Sequence, residues 1–268
     1  MDSHALEHYS AYSDKRPHGH FHRVMALHDS PKLTWPVIND LAPRLCKGWF
    51  ELAHLPVQDR IDFVHEFWMS KLPYYPLFSD ALDKFFANLD DIGIFLTQIR
   101  NDEPFEPQLV YSLADNGGFF HGDASATEDE IIALQKEFPN YILPPDYLAF
   151  LQIHNGFAKF TDTGIMKSTQ VGENYRLFQE TLEENEPLLT ASGTSVNPQS
   201  LIPFYKSFGM PFFQCFWGEW YPENEMGNVY YSGVTKMISD CTKTDCSVEA
   251  MAFETFTDWL GFYLEKIG

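Results

Sequence analysis

The sequence predicts an α+β fold: an antiparallel sheet packed against helices, preceded by a mainly helical N-terminal unit. Three observations carry that expectation. Apolar residues recur at helical spacing from Trp35 onward. Short aromatic segments bounded by Gly, Pro, Asn and Asp crowd the stretch after Gly156. An amphipathic run then closes the chain. Helices, a group of strands and a final helix, in that order, argue for helices packed to one side of an antiparallel sheet.

The first 30 residues hold six of the ten histidines. His4 and His8 share a face at helical spacing, and His18, His20 and His22 alternate. Either set has donors for a divalent metal, but no Cys or carboxylate supplies an obvious fourth ligand. Chain ends are also often loosely ordered, so residues 1–30 are expected to be a mobile or partly docked polar segment without a metal. A helical unit follows at 31–115. Val57, Ile61, Val64 and Trp68 fall at i, i+4, i+7 and i+11. Phe63 and Phe67 widen that stripe, which predicts a helix buried on more than one side. Pro73 and Pro76 in "KLPYYPLF" stop it. Leu82, Phe85, Phe86 and Leu89 form a second apolar face, while "DIGIFLTQI" fits a strand or a helix equally well. No chemistry is legible in this unit.

"ADNGGFFHGDASATEDE" reads as a turn-rich boundary. Its Gly117, Gly118 and Gly122 lack the spacing of a phosphate loop. Thr127 and Glu130 form a capping-box signature for a helix that buries Ile131, Leu134 and Phe138 and ends at Pro139. In "LPPDYLAFLQIHNGF", Pro145 suits the first helical position and Asp146 complements the positive helix end. Tyr147, Phe150, Leu151 and His154 share one face, and Gly156 is expected to be the left-handed C-terminal cap. His154 reads as a packed core histidine, since no carboxylate or nucleophile accompanies it in the sequence. Strands are expected at "GFAKF", "GIMKS", "SLIPFYKS", "FFQCFW" and "NVYYSG", with a helix in "NYRLFQETLEENEPLL" inserted between them. The two aromatic strands around "GEWYPENEMG" are expected to pair as a long antiparallel hairpin. Phe256, Trp259, Leu260, Tyr263, Leu264 and Ile267 form the buried face of the last helix, capped by Thr255 with Asp258.

The formal net charge is −20. The first 115 residues contribute −7 of it and the remainder −13, so the acidic excess concentrates in the second part. Such a surface repels phosphate backbones and acidic membranes, and it attracts basic protein partners. It also serves solubility alone. Cys241 and Cys246, with four residues between them, match neither a zinc knuckle nor a redox pair, and Cys215 sits in an apolar run. Cys46 stands alone. Without an apolar leader or a membrane-length apolar run, a reducing cytoplasm is the expected location.

The series "EIIALQKEF", "LPPDYLAFLQIHNGF", "SLIPFYKSFGMPFFQCFW", "GNVYYSG" and "FETFTDWLGFYLE" resembles the SUKH superfamily, the Smi-one/Knr-four group. The resemblance spans about 123–268, and Leu143, Pro144, Asp146, Tyr147, Asn155 and Gly156 are its sharpest markers. It implies an α+β binding module rather than an enzyme. Many bacterial members are immunity proteins that neutralise toxins, often nucleases, and the eukaryotic cell-wall regulators act as interaction hubs. The family shares no catalytic constellation, so no catalytic residues and no cofactor carry over. The helical unit at 31–115 and the insertion "NYRLFQETLEENEPLLTASGTSVNPQ" depart from small single-domain immunity proteins. Those departures bear on the immunity role more than on the fold.

Three functional readings follow. In the first the chain binds a protein, a basic toxin being the most concrete partner. The contact candidates are Glu219, Trp220, Tyr221, Glu223 and Glu225, which mix aromatic anchors with carboxylates. The same loop is equally compatible with a solvated hairpin tip whose aromatics fold back onto the core. In the second the chain is a regulatory scaffold whose N-terminal helical unit is a second docking surface or an intramolecular cover. In the third it is an enzyme, for which Glu223 and Glu225 are a carboxylate pair but no nucleophile elbow or zinc motif is present.

Overall fold

Strand pairing links distant parts of the chain in the computed structural model, which describes residues 1–12, 19–30, 33–160, 162–183, 187–221, 226–240 and 251–265. Within them the strands are β1 (Arg23–Ala26), β2 (Leu89–Gln98), β3 (Glu106–Leu113), β4 (Phe119–Asp123), β5 (Phe157–Lys159) and β6 (Gly164–Ile165). They continue as β7 (Leu189–Thr190), β8 (Leu201–Lys206), β9 (Phe212–Trp217), β10 (Asn228–Ser232) and β11 (Met237–Ser239). These 11 strands form one sheet in the order β1-β2-β3-β4-β5-β6-β8-β9-β10-β11-β7. Every pairing is antiparallel except β11 with β7. The fold is therefore α+β, as the sequence predicts.

The hairpin expected between "FFQCFW" and "NVYYSG" is β9 against β10, with Val229 opposite Cys215 and Tyr231 opposite Phe213. One element that the sequence left open is decided, and one differs from the sequence reading. "DIGIFLTQI" is strand β2, and part of the stretch read as a linker is strand β4. Both have one physical cause, which is burial on two sides. Ile92, Ile94 and Leu96 face the main core with Leu109, Tyr111 and Phe120. Phe95, Val110 and Phe119 face the opposite side, under Ala5 and Tyr9. A strand covered on both faces carries a continuous apolar run, and its period-2 signal disappears.

The cover on the second face is the N-terminal segment. Helix α1 (Ser3–His8) lays Ala5 onto the sheet, and Tyr9 stacks on Phe95 with ring centroids 4.3 Å apart while its hydroxyl donates to Gln108 Oε1 at 2.8 Å. Asp2 is buried there, accepting from the Gly118 amide at 3.1 Å. Residues 1–12 are thus docked; His18 lies outside the described residues.

Helices α2 (Trp35–Leu41), α3 (Lys47–Leu52), α4 (Val57–Lys71) and α5 (Pro76–Ala87) cover the main face of the first strands. Pro73 lies between α4 and α5, and Pro76 opens α5, as the proline signals predict. Ile61, Val64 and Trp68 are buried, but Val57 and Phe63 are exposed, which corrects the expectation of a helix buried on several sides. Val57 is the first residue of α4 and Phe63 lies beside the buried stripe, so packing one face of α4 on β2 leaves both in solvent. The buried Arg60 donates to Asp91 and to the Leu55 carbonyl, fastening α4 to β2.

The second part contributes α6 (Glu128–Glu137), α7 (Pro145–Leu151), α8 (Ser168–Glu183) and α9 (Phe256–Glu265). The capping box is present: Glu130 N–H donates to Thr127 Oγ1 at 3.2 Å and Thr127 N–H to Glu130 Oε2 at 2.8 Å. Phe256, Trp259, Leu260, Tyr263 and Leu264 of α9 are buried, and the Asp258 amide donates to Thr255 Oγ1 at 3.0 Å; Ile267 lies outside the described residues. Helix α9 packs on α5 and α7, which joins the N-terminal helices to the closing one.

Candidate protein-binding surface

The marker residues of "LPPDYLAFLQIHNGF" build a structural junction. Leu143 and Tyr147 are buried, and the Tyr147 ring contacts Phe204, Phe216 and Phe256 with centroids 5.9, 4.9 and 5.3 Å away. Pro144 precedes α7 and Pro145 takes its first position. The buried carboxylate of Asp146 accepts from Thr257 N–H at 2.9 Å and Thr257 Oγ1 at 3.2 Å, so a residue of α7 caps the N-terminus of α9. Asn155 Oδ1 accepts from the Ser168 amide at 2.6 Å, which ties the same motif to the start of α8. Gly156 has φ +108°, but it is not the helix cap. Helix α7 ends at Leu151 with Gln152 as cap, and Ile153 and His154 both donate to the Phe150 carbonyl at 2.8 Å. The early stop lets His154 leave the helix and enter the core. A Cβ on Gly156 would lie 2.9 Å from Asp123 Oδ2, a second reason for glycine there.

His154 is part of a buried polar chain. Trp68 Nε1–H donates to the Tyr111 hydroxyl at 3.0 Å, and that hydroxyl lies 2.6 Å from His154 Nε2. His154 Nδ1 is 3.0 Å from the Asp123 carbonyl. The carbonyl is an acceptor only, so Nδ1 carries the proton and Nε2 accepts from Tyr111. Burial holds the imidazole pKa down at about 4, and the ring is neutral at pH 7. Gly122 accommodates it, because a Cβ there would lie 2.3 Å from the ring. The arrangement links α4, β3 and β4 across the main core. With His154 0% exposed, it offers solvent no base.

A second histidine group lies under the N-terminal segment. His8 and His121 stack with centroids 6.3 Å apart, and His20 is 4.8 Å from His8. Burial first, then the charges of His121 and His20, depresses His8 to about 4. His4 bonds Asp2 Oδ1 at 2.9 Å instead, and His22 reaches Asn101 at 3.2 Å. Among the described residues no group of three or more His, Cys, Asp or Glu is placed to hold a metal ion. Cys215 is buried and Cys46 exposed; Cys241 and Cys246 lie outside the described residues.

The predicted contact loop follows β9. Trp220 folds back: its N–H donates to the Trp217 carbonyl at 3.0 Å, the rings are 6.2 Å apart, and its edge covers Gly227. It is half-buried against the core. Glu219 remains at the surface, accepting from Asn197 Nδ2 at 3.1 Å, and Tyr221 is 48% exposed. Glu223 and Glu225 lie outside the described residues. The structure adds two neighbours that the sequence reading missed. Tyr141 lies over Gly218, where an added Cβ would meet its ring at 2.2 Å, and the next residue, Ile142, is 83% exposed. Burial, then the charge of Glu219 and the nearby Tyr221, raises the Tyr141 pKa. The available signal was "YI" in the polar and proline-rich connection between α6 and α7. Exposed Tyr221 and the Glu219 carboxylate lie near Tyr141, and Ile142, the residue after Tyr141, is exposed, so this region offers apolar side chains and a carboxylate.

Comparison with known families places the second part of the chain. The sequence model of the SMI1 / KNR4 family (SUKH-1) matches residues 125–261, about half of the chain. No curated protein matches the chain. Among the described residues no helix is long and apolar enough to cross a membrane.

Proposed function

The chain belongs to the SMI1 / KNR4 family (SUKH-1), and from that premise we propose that it is a non-enzymatic protein-binding module of the cytoplasm, with neutralisation of a basic toxin as its most concrete form. The observation that carries this reading is the exposed Tyr221 next to Glu219, with Tyr141 near both and followed in the chain by the exposed Ile142. This region exposes a large aliphatic side chain, and an aromatic one near a carboxylate, on a chain of net charge −20. Aromatic anchors with a charged rim suit a protein partner, and the acidic excess favours rapid encounter with a basic one. Phosphate backbones and acidic membranes are poor partners for the same charge. Glu223 and Glu225 are proposed to extend the acidic rim.

The test is co-expression with a candidate basic toxin. Wild type restores growth, and Ile142→Ala with Tyr221→Ala abolishes rescue without lowering the amount of folded protein. Failure of the wild type to rescue would remove the immunity form of the proposal for that toxin. A scaffold role is favoured by the exposed Val57 and Phe63 of α4, which leave apolar side chains of the helical unit open to contact. On either reading the units at 31–115 and 123–268 act as one body, since β3 pairs with β4 and β4 with β5. Separate, soluble folding of 1–115 and 123–268 would count against that.

A further inference from the structure

An apolar pocket of about 160 Å³ opens between α3, α4 and β3. Trp49 and Leu52 of α3, Phe63 and Phe67 of α4, Leu109 and Ile153 form its walls, and the Trp68–Tyr111–His154 chain lies at its floor. The floor groups satisfy one another, so the pocket presents no unmet donor or acceptor there. Cys46 also lines it; although the residue is exposed, partial desolvation of its thiol at the pocket raises the pKa and keeps it uncharged at neutral pH. The volume falls below the roughly 300–1,000 Å³ of ordinary small-molecule sites. It suits one apolar side chain.

The surroundings carry the opposite character. Asp59, Asp62, Phe63 and Glu66 fall at i, i+3, i+4 and i+7 on α4, and all four are exposed. Phe63, 54% exposed, therefore leads into the pocket from a stripe of three carboxylates. Among the described residues no Lys or Arg pairs with those carboxylates, and Asp62 accepts only from Gln58, at 2.8 Å. Lys47 pairs with Glu51 at 3.3 Å and Arg44 with Glu130 at 2.8 Å, while the Lys71 ammonium lies 5.8 Å over the ring of the wall residue Phe67.

We propose that this pocket docks a basic segment of a protein partner. One leucine- or phenylalanine-sized side chain seats between Trp49 and Phe63, while flanking lysines or arginines face Asp59, Asp62 and Glu66. The inference rests on the binding-module reading and gives that module a second contact site, distant in sequence from the Tyr141–Tyr221 patch. An apolar anchor supplies affinity in such a site, and the charges supply encounter rate and partner choice.

The test uses the full chain and three short acetylated peptides: Lys-Lys-Phe-Arg-Lys, Lys-Lys-Gly-Arg-Lys and Glu-Glu-Phe-Asp-Glu. The readout is the Trp49 indole N–H resonance, identified by its loss in Trp49→Phe. The expected result is a saturable shift with the basic phenylalanine peptide, weakened by salt. The glycine peptide binds at least about tenfold more weakly, as does the phenylalanine peptide to Phe63→Ala or to Asp62→Lys/Glu66→Lys. Phe63 is exposed, so its variant should keep the wild-type urea midpoint and remain interpretable. No saturable shift, an equal shift from the acidic peptide, or unchanged binding by both variants would overturn the proposal. Toxin rescue that depends on Ile142 and Tyr221 but not on Phe63 would leave the binding-module reading standing while the pocket assignment fell.

Discussion

Tyr111→Phe is the most informative single change in the core. The substitution keeps the ring and its packing but removes the hydroxyl shared by Trp68 Nε1 and His154 Nε2. All three side chains are buried, so water does not replace the lost atom. One indole donor and one imidazole acceptor are then left unmet, each worth about 1–3 kcal/mol. Removing the hydroxyl also removes its own burial penalty, which brings the expected loss to about 2–4 kcal/mol. Urea unfolding followed by tryptophan fluorescence measures it as a lower midpoint at constant slope. In Trp68→Phe the indole donor is already gone, so adding Tyr111→Phe should cost about 1 kcal/mol less than it does in the wild type. A loss below about 1 kcal/mol, the net worth of one ordinary hydrogen bond, would refute the claim that this chain holds α4, β3 and β4 together.

Other consequences are open to measurement. Asp146→Ala removes the cap that α7 lends to α9 and leaves the Thr257 amide and hydroxyl without their shared acceptor; thermal unfolding should show a loss of about 2–4 kcal/mol, with Asp146→Asn losing less. Gly122→Ala would force a methyl group against the His154 ring and should destabilise by about 1–3 kcal/mol by the same assay. Stability should also fall on acidification before most carboxylates titrate. His8 and His154 are each held at about 4, below the ordinary 6.5. The unfolded chain therefore takes up protons first, and stability is lost as the pH drops from about 6.5 towards 4. The fully buried His154 alone accounts for about 3 kcal/mol over that window. Urea midpoints at several pH values test this; a flat profile between pH 7 and about 4.5 would contradict it.

Much of the second part was legible because its signals are local. Thr127 and Glu130 sit at capping-box spacing, Pro145 marks a helix start, and the aromatic strands are punctuated by turn residues. The elements left open or misread depend on contacts far away in sequence. Strands β2 and β4 lose their alternation because α1 covers one face and α4 and α5 the other. The end of α7 is fixed by partners for His154 at Tyr111 and Asp123, which no window around Gly156 contains. The acidic aromatic loop was visible as composition, but Trp220 turns inward, and Tyr141 reaches the loop by packing on Gly218, a contact between residues far apart in sequence. The pocket beside Phe63 had no sequence signal beyond one aromatic residue too many for the buried stripe of α4.

The central claim, that the chain binds a protein through the Tyr141–Tyr221 patch, is tested most directly by paired affinity capture. Tagged wild type and the Ile142→Ala/Glu219→Lys/Tyr221→Ala variant are exposed to the same native cell extract at low and high salt. The account predicts a basic protein retained by wild type at low salt, released at high salt, and absent from the variant. Retention of no protein by the wild type, or equal retention by the folded variant, would contradict it.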